Sequence, residues 1–125
     1  MKEYSAKDIR NVVLLGATKS GKTTLAEAML FEGKVIDRRG SVEEKNTVSD
    51  NDELEKLNQR SIYATPLYAE FMNKKINIID APGSDDFIGG AVSAFKVCEN
   101  GILVINAQQG VEVGTTGALR YAEKY

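Results

Sequence analysis

The stretch GATKSGKT, residues 16–23, decides the fold of this chain. It fits the pattern G-x-x-x-x-G-K-[ST] of a loop that binds nucleotide phosphates, a pattern that is informative where a strand precedes it and a helix follows. The apolar run NVVLL at 11–15 ends at Gly16, and the following KTTLAEAMLFEG is rich in helix-forming residues. The sequence therefore predicts a strand, a glycine loop and a helix that ends at Gly33.

Each residue type in this loop has a chemical reason. Gly16 and Gly21 allow the backbone to curl so that successive N–H groups point at phosphate oxygens, and the helix N-terminus adds a partial positive charge. Lys22 is predicted to reach the β- and γ-phosphates, and the Thr23 hydroxyl to bind Mg²⁺. The other predicted nucleotide contacts of the loop are Ala17, Thr18, Lys19, Ser20 and Thr24. A glycine turn that binds no ligand is the alternative interpretation.

A second motif, IIDAPGSDDF at 78–87, indicates an apolar strand that ends at Asp80 and a turn through Pro82 and Gly83. A carboxylate at the tip of a neighbouring strand lies beside the loop threonine and can hold Mg²⁺, usually through water, and the Gly83 N–H can contact the γ-phosphate. Asp80, Pro82 and Gly83 therefore join the predicted nucleotide site, with Thr23 and Asp80 as the metal-binding pair. The alternative is an acid that merely ends a strand.

The segment between the first helix and the second motif has no sustained apolar period. Residues 34–61 are mostly polar, and a stretch of that length without clear structure inside a compact domain is usually functional or mobile. We therefore predict a mobile segment at about 34–61, with a short helical turn at 52–58.

Residues 62–72 alternate in part between apolar and polar side chains. Pro66 cannot donate to a strand ladder, so this stretch is predicted to be an edge strand. Asn73 and Lys74 form a tight connection to the next run, which makes the edge strand the antiparallel neighbour of the strand that ends at Asp80.

The last third of the chain continues the alternation of helix and strand. A helix of small residues is predicted at 88–98, a turn at 100–101, the strand GILVIN at 101–106 and a final helix at 114–125. GILVIN is apolar on both faces, as is typical of a strand buried between helix layers. The whole pattern predicts an α/β fold with a mainly parallel sheet.

The composition limits the classes of function. The 125 residues suffice for one domain, and the net charge of -2 gives no basic footprint for direct binding of nucleic acid. No apolar stretch reaches membrane length, so no membrane partner is expected. The single cysteine, Cys98, excludes an intramolecular disulfide and fits a reducing, cytoplasmic compartment. Histidine is absent, which removes the commonest general base.

The segments QRSIYAT at 59–65, KINIIDAPGSDDF at 75–87 and GVEVGTTGALRYAEKY at 110–125 occur in an order of their own. They resemble the translational GTPases, most closely elongation factor G, and the resemblance covers residues 10–125. It implies a P-loop NTPase-type sheet with helices on both faces and one antiparallel edge strand, bound to GTP or GDP with Mg²⁺. Residues 1–125 are then the N-terminal portion of a truncated G domain.

The resemblance also implies a function. Elongation factor G docks on the ribosome in its nucleotide-bound form and drives translocation, so the implied partners are a guanine nucleotide and the ribosome. The polar segment before Ile62 is then the first switch, and residues 81–90 are the second. Ribosomal-protection tetracycline resistance proteins share the same motifs and are the nearest relatives to distinguish.

Three positions depart from the family pattern. Ser84 stands where the family has the catalytic histidine that positions the attacking water. Tyr63 stands where the first switch has the threonine that closes over Mg²⁺ and the γ-phosphate, with Thr65 as a displaced substitute. Lys19 replaces an aspartate in the phosphate loop, where its ammonium group either lies in solvent or approaches the bridging phosphate oxygens.

These departures predict that binding outlasts hydrolysis. Loss of a group that orients water or transfers a proton costs roughly 10² to 10⁴ in rate. Asp85 or Asp86 could orient water instead, although a carboxylate beside a triphosphate is repelled. The base-reading motif Asn-Lys-x-Asp of the family is missing from the chain. The leading hypothesis is thus the GTP-binding part of an elongation factor G-like protein, against a ribosome-binding module that does not hydrolyse GTP and against a P-loop ATPase.

Overall fold

The computed structural model describes residues 2–83 and 88–125. Strands and helices alternate along the chain after a short 3₁₀ turn at Ala6–Asp8. The elements are β1 (Ile9–Leu15), α1 (Lys22–Glu32), α2 (Glu53–Asn58), β2 (Thr65–Phe71), β3 (Lys74–Asp80), α3 (Ile88–Phe95), β4 (Asn100–Leu103) and α4 (Val113–Lys124). This order confirms the predicted α/β class.

The strands of the described residues form one sheet in the order β2-β3-β1-β4. β1 runs parallel to both β3 and β4, while β2 runs antiparallel to β3 at one edge. The register sets Leu14 opposite Asp80, so β1 and β3 end level with each other. The glycine loop and the Asp80 turn therefore leave the sheet side by side, at the carboxyl ends of parallel strands where α/β folds bind ligands.

Helices cover both faces of the sheet, as predicted. Successive side chains of β1 point to opposite faces. Leu14 packs on one side with Ala26 of α1. Val13 packs on the other side with Phe95 of α3, and Ala118 of α4 joins that cluster. The buried core thus lies in two layers, one on each side of the sheet.

β2 is an edge strand, in agreement with the position of Pro66. The turn between β2 and β3 lies one residue earlier than predicted, at Met72 and Asn73, and Lys74 already belongs to β3. Met72 and Asn73 have φ angles of 47° and 60°. Two successive positive φ angles give the turn whose twist suits a two-residue hairpin.

The helix after the second motif is shorter than predicted. α3 ends at Phe95 and not at Cys98. The Val97 N–H donates to the Ala94 carbonyl oxygen at 3.2 Å, which is the spacing of a tighter turn and not of a continuing α-helix. Cys98 is half-buried against the core cluster, in line with its interpretation as a packing residue.

The strand that follows differs most from the prediction. Asn100 and Gly101, predicted as a turn, begin β4, and the strand ends at Leu103. Three of its four residues are exposed, whereas burial on both faces was predicted. The reason is that β1 is the one strand paired with β4 in the described part of the chain. Ile102 and Ile105 are accordingly exposed, which confirms the expected apolar surface at this edge.

The polar segment between α1 and β2 contains turns and the short helix α2. Asp52 caps α2: its side chain accepts from the Leu54 N–H at 2.9 Å, and Glu55 returns a bond to the Asp52 N–H. This capping box explains the helical turn predicted at 52–58. The longest helix of the described residues, α4, has 12 residues, so none of those helices could span a membrane.

Candidate nucleotide-binding site

The glycine loop after β1 has a backbone that its two glycines permit. Gly16 has a φ angle of 137° and Gly21 of 103°, a region that other residues disfavour. At Gly16 the space is also closed, because a Cβ atom would lie 2.2 Å from the carbonyl oxygen of Val104. Gly21 is the N-cap of α1, so the loop leads directly into the helix.

Lys22 begins α1, and its ammonium group turns back over the loop. Nζ donates to the carbonyl oxygen of Ala17 at 2.8 Å and to that of Gly16 at 3.1 Å. Burial lowers the pKa of Lys22, and two nearby carboxylates oppose that shift. Gly83 lies against the same group, since a Cβ atom there would come within 2.4 Å of Nζ. A buried cation in this loop is the group that phosphate oxygens attract.

Thr23 and Asp80 are adjacent, as the two motifs predicted. Thr23 Oγ1 donates to Asp80 Oδ2 at 2.7 Å. Burial raises the pKa of Asp80, and hydrogen bonds from Thr23 and Ser49 oppose the rise. The other carboxylate oxygen, Oδ1, is buried without a hydrogen-bond partner among the described residues. A buried acceptor of this kind is costly unless a donor, a water or a cation satisfies it.

The polar segment brings three further side chains to this pair. Ser49 Oγ donates to Asp80 Oδ2 at 2.7 Å. Ser61 Oγ lies 3.1 Å from Thr23 Oγ1 and donates to Asp50 Oδ1 at 2.7 Å. Burial raises the pKa of Asp50, and the hydrogen bond from Ser61 opposes the rise. Hydroxyls and carboxylates from distant parts of the sequence thus form one cluster.

A buried glutamate of α1 fastens the polar segment to the domain. Glu27 is 1% exposed. Its two carboxylate oxygens accept from the Gly40 N–H at 2.9 Å and from the Val48 N–H at 2.5 Å. Hydrogen bonds to a charged acceptor are the stronger kind. Glu27 therefore holds the segment at two points along its length.

A second buried glutamate, Glu55 of α2, fixes the chain where it enters β2. Its Oε1 accepts from the N–H groups of Ile62 and Tyr63, both at 3.0 Å. The Tyr63 side chain is 54% exposed. Thr65 Oγ1 donates to the carbonyl oxygen of Ser49 at 3.3 Å. Tyr63 thus faces solvent, while Thr65 contacts the backbone of the polar segment.

A cleft of about 220 Å³ separates the glycine loop from the polar segment. Asp50 and Ser61 line it from the segment side. The predicted site residues that line it are Thr18, Lys19, Gly21, Lys22, Thr23, Thr24 and Gly83. The other predicted site residues within the described ranges are buried, namely Gly16, Ala17, Ser20, Asp80 and Pro82.

Two of the family departures have different outcomes. Ser84, the predicted catalytic position, lies outside the described residues, as do Asp85 and Asp86. Lys19 is exposed and has a φ angle of 62°. Aspartate, which the family has there, tolerates this left-handed conformation better than lysine does.

The sequence prediction missed Glu27, Ser49, Asp50 and Ser61. A signal for Glu27 was present, because it follows Thr23 by four residues and so shares its face of α1. The other three lie in a segment without apolar periodicity, and only the folded chain brings them to Thr23. Sequence spacing carries no information on such contacts.

The donor set fits Mg²⁺, which prefers oxygen ligands and usually shares them with substrate phosphates and water. Thr23 and Asp80 provide a hydroxyl and a buried carboxylate with one oxygen unpartnered among the described residues. Within residues 2–83 and 88–125 no group of three or more carboxylate, thiol or imidazole side chains could bind a metal by itself. An ion at Thr23 would therefore need phosphate oxygens or water to complete its coordination. It would screen phosphate charge there when bound.

The sequence matches one family of known domains. Residues 7–125 match the elongation factor Tu GTP binding domain. The chain belongs to this family. Within the elongation factor Tu GTP-binding domains, the glycine loop and Asp80 are therefore parts of a translation-factor G domain, as the resemblance implied.

Individual relatives of this G domain are translation factors and resistance proteins. An elongation factor G-like protein of Mycobacterium tuberculosis is 41% identical over 107 residues, which cover 86% of this chain and 15% of the relative. The tetracycline resistance protein TetM from transposon Tn1545 of Enterococcus faecalis is 36% identical over 107 residues, which cover 86% of this chain and 17% of that protein. The chain thus spans less than a fifth of the length of these relatives.

Solved structures agree with this fold. A crystal structure of a Thermus thermophilus protein superposes with a TM-score of 0.90 at 36% identity, over 93% of this chain and 18% of that one. The bacterial selenocysteine-specific elongation factor EF-Sec gives a TM-score of 0.71 at 27% identity, over 91% of this chain and 17% of that one. The sheet with helices on both faces is therefore the G-domain arrangement, of which this chain represents a part.

Proposed function

We propose that this chain is the GTP-binding part of an elongation factor G-like translation factor that acts on the ribosome in the cytoplasm during translocation. Residues 1–125 form the N-terminal portion of its G domain. Lys22 binds the β- and γ-phosphates of GTP, while Thr23 and Asp80 hold Mg²⁺. The segment 34–61 is the first switch and changes its position with the bound nucleotide.

The observation that supports this function best is the contact between the two motifs. A glycine loop alone could be a turn, and an acid at a strand end is common. The 2.7 Å bond from Thr23 to Asp80 joins them at the carboxyl end of the sheet, beside the buried Lys22 ammonium group. A hydroxyl, a carboxylate and a cation so arranged match the requirements of a Mg-nucleotide.

Nucleotide binding can be tested with the full-length protein and a fluorescent GTP analogue. Lys22→Ala should lower the affinity at least tenfold, because it removes a buried cation from the phosphate site. Lys7→Ala is the matched control, since Lys7 is exposed on the 3₁₀ turn before β1 and should keep wild-type affinity. Unlabelled GTP should displace the analogue, and displacement by ATP at equal concentration would indicate a P-loop ATPase.

We further propose that GTP hydrolysis is slow or absent. The chain has no histidine, and the Tyr63 side chain is half-exposed at the position of the family threonine. Single-turnover hydrolysis with ribosomes should be slow in the wild type and faster in the double variant Tyr63→Thr, Ser84→His. Wild-type hydrolysis at the rate of the double variant would mean that another group positions the water.

A second candidate is a ribosomal-protection factor of the tetracycline resistance type. The 36% identity to TetM favours it. Release of tetracycline from ribosomes by the full-length protein would support this candidate, and stimulation of translocation without such release would support the elongation factor G-like function. A protein that binds the ribosome and GTP without either effect would be a non-hydrolysing binding module.

A further inference from the structure

The inference concerns the ligand that the first switch contributes to the metal, and it rests on the proposed nucleotide function. The family resemblance assigns that ligand to a threonine at position 63, where this chain has Tyr63. Tyr63 is 54% exposed, and its backbone N–H is held by the buried Glu55 carboxylate at 3.0 Å. A phenol at the end of a rigid ring cannot replace the short threonine hydroxyl. The switch therefore needs its oxygen from another residue.

Ser61, two residues earlier, has its hydroxyl at the site. Its Oγ lies 3.1 Å from Thr23 Oγ1, and Ser61 lines the same cleft as Lys22 and Thr23. Adjacent oxygen ligands of octahedral Mg²⁺, each about 2.1 Å from the ion, are roughly 3 Å apart. The two hydroxyl oxygens already have that separation.

The hydrogen count around these oxygens favours a cation between them. A hydroxyl has one proton to donate. Thr23 donates its proton to Asp80 and Ser61 donates its own to Asp50. With both carboxylates ionised, no proton remains for the 3.1 Å contact between the hydroxyls. Two oxygen lone pairs then face each other, and a cation relieves that repulsion while both donated bonds stay in place.

We propose that Ser61 is the switch ligand of Mg²⁺ in this protein, in place of the threonine that Tyr63 has replaced. Asp50 acts as a positioning residue, because its 2.7 Å bond from Ser61 fixes where the hydroxyl oxygen points. Glu55 supports the arrangement from the other side through the Ile62 and Tyr63 N–H groups.

The test is the Mg²⁺ concentration that gives half-maximal binding of a fluorescent GTP analogue to the full-length protein. Ser61→Ala should raise this concentration about tenfold or more, since changes even around metal ligands cost that much in metal affinity. Ser93→Ala, on the exposed side of α3, is the matched control and should leave it unchanged. An unchanged value in Ser61→Ala would overturn the proposal and leave Ser61 as a hydrogen-bonding residue only.

A second variant separates ligation from a structural role. Ser61→Cys should bind the analogue weakly with Mg²⁺ and recover with Cd²⁺, because a thiolate prefers softer metals. Ser93→Cys and the wild type should show no such recovery, which controls for Cys98. Failure of Cd²⁺ to rescue Ser61→Cys would also overturn the proposal. Absence of nucleotide binding by the wild type in both metals would instead refute the proposed function itself.

Discussion

The Oε1 atom of Glu27 accepts a 2.5 Å hydrogen bond from the backbone N–H of Val48, 21 residues further along the chain. The other oxygen of the same carboxylate binds the Gly40 N–H. One helix residue thus controls the middle of the polar segment. The position of Ser49, directly after Val48, depends on it.

Glu27→Ala should release this segment without unfolding the sheet. Two hydrogen bonds to a buried charge are lost, which costs on the order of 3 kcal/mol. Limited proteolysis should then cut the region 34–61 much faster than in the wild type. Glu32→Ala is the matched control, because Glu32 is exposed at the end of the same helix. Equal cleavage rates in both variants would show that other contacts hold the segment.

Two buried serines should respond differently to alanine. Ser49 donates to Asp80 at 2.7 Å, so Ser49→Ala should lower the free energy of unfolding by about 1–3 kcal/mol. Ser20 Oγ is buried without a hydrogen-bond partner in the described parts of the chain. Ser20→Ala should therefore be neutral or stabilising. Chemical denaturation without nucleotide compares the two, and a larger loss in Ser20→Ala would contradict the assignment.

The buried carboxylate of Asp80 should make stability depend on pH. Burial raises its pKa, so above the ordinary value of about 4 the folded chain still holds a proton that the unfolded chain has released. The stability from this group is complete below that pH and is lost as pH rises through the folded-state pKa. Asp80→Asn should flatten the dependence in metal-free buffer between about pH 4 and 8. The exposed Asp37→Asn serves as control, and a profile like that of the wild type in Asp80→Asn would refute the prediction.

Lys19 should be a strained residue of the loop. Its φ angle of 62° costs a lysine roughly 1 kcal/mol or more, and asparagine tolerates the conformation better. Lys19→Asn should raise the midpoint of thermal unfolding, whereas Lys7→Asn at an exposed site outside the left-handed region should not. No gain in Lys19→Asn would mean that the lysine side chain compensates for its backbone.

The parts of the fold that the sequence predicts are those encoded locally. Gly16, Gly21 and Thr23 follow from one motif, and Asp80 follows from an apolar strand that ends in an acid. Pro66 predicts the edge strand because it cannot donate to a ladder. These features depend on residues that are neighbours in the chain, so the pattern and the structure agree.

The parts that the sequence does not predict depend on what comes to lie beside them. The β4 strand is apolar, but its burial is set by which elements cover it, and three of its four residues are exposed. Ser61 and Asp50 come from a segment without periodicity. Their proximity to Thr23 results from the buried anchors Glu27 and Glu55, which polar composition alone does not distinguish from surface glutamates.

The register that sets Leu14 opposite Asp80 also bears on how the chain reaches its folded state. A slip of β3 by one residue against β1 would turn every side chain of β3 to the opposite face, so Asp80 would leave Thr23 and a Mg-nucleotide would lose a ligand. A ligand that binds only the correctly paired chain stabilises it by about 2.7 kcal/mol when present at about a hundred times its dissociation constant. Cellular nucleotide would then act as a chaperone that selects the correct strand pairing.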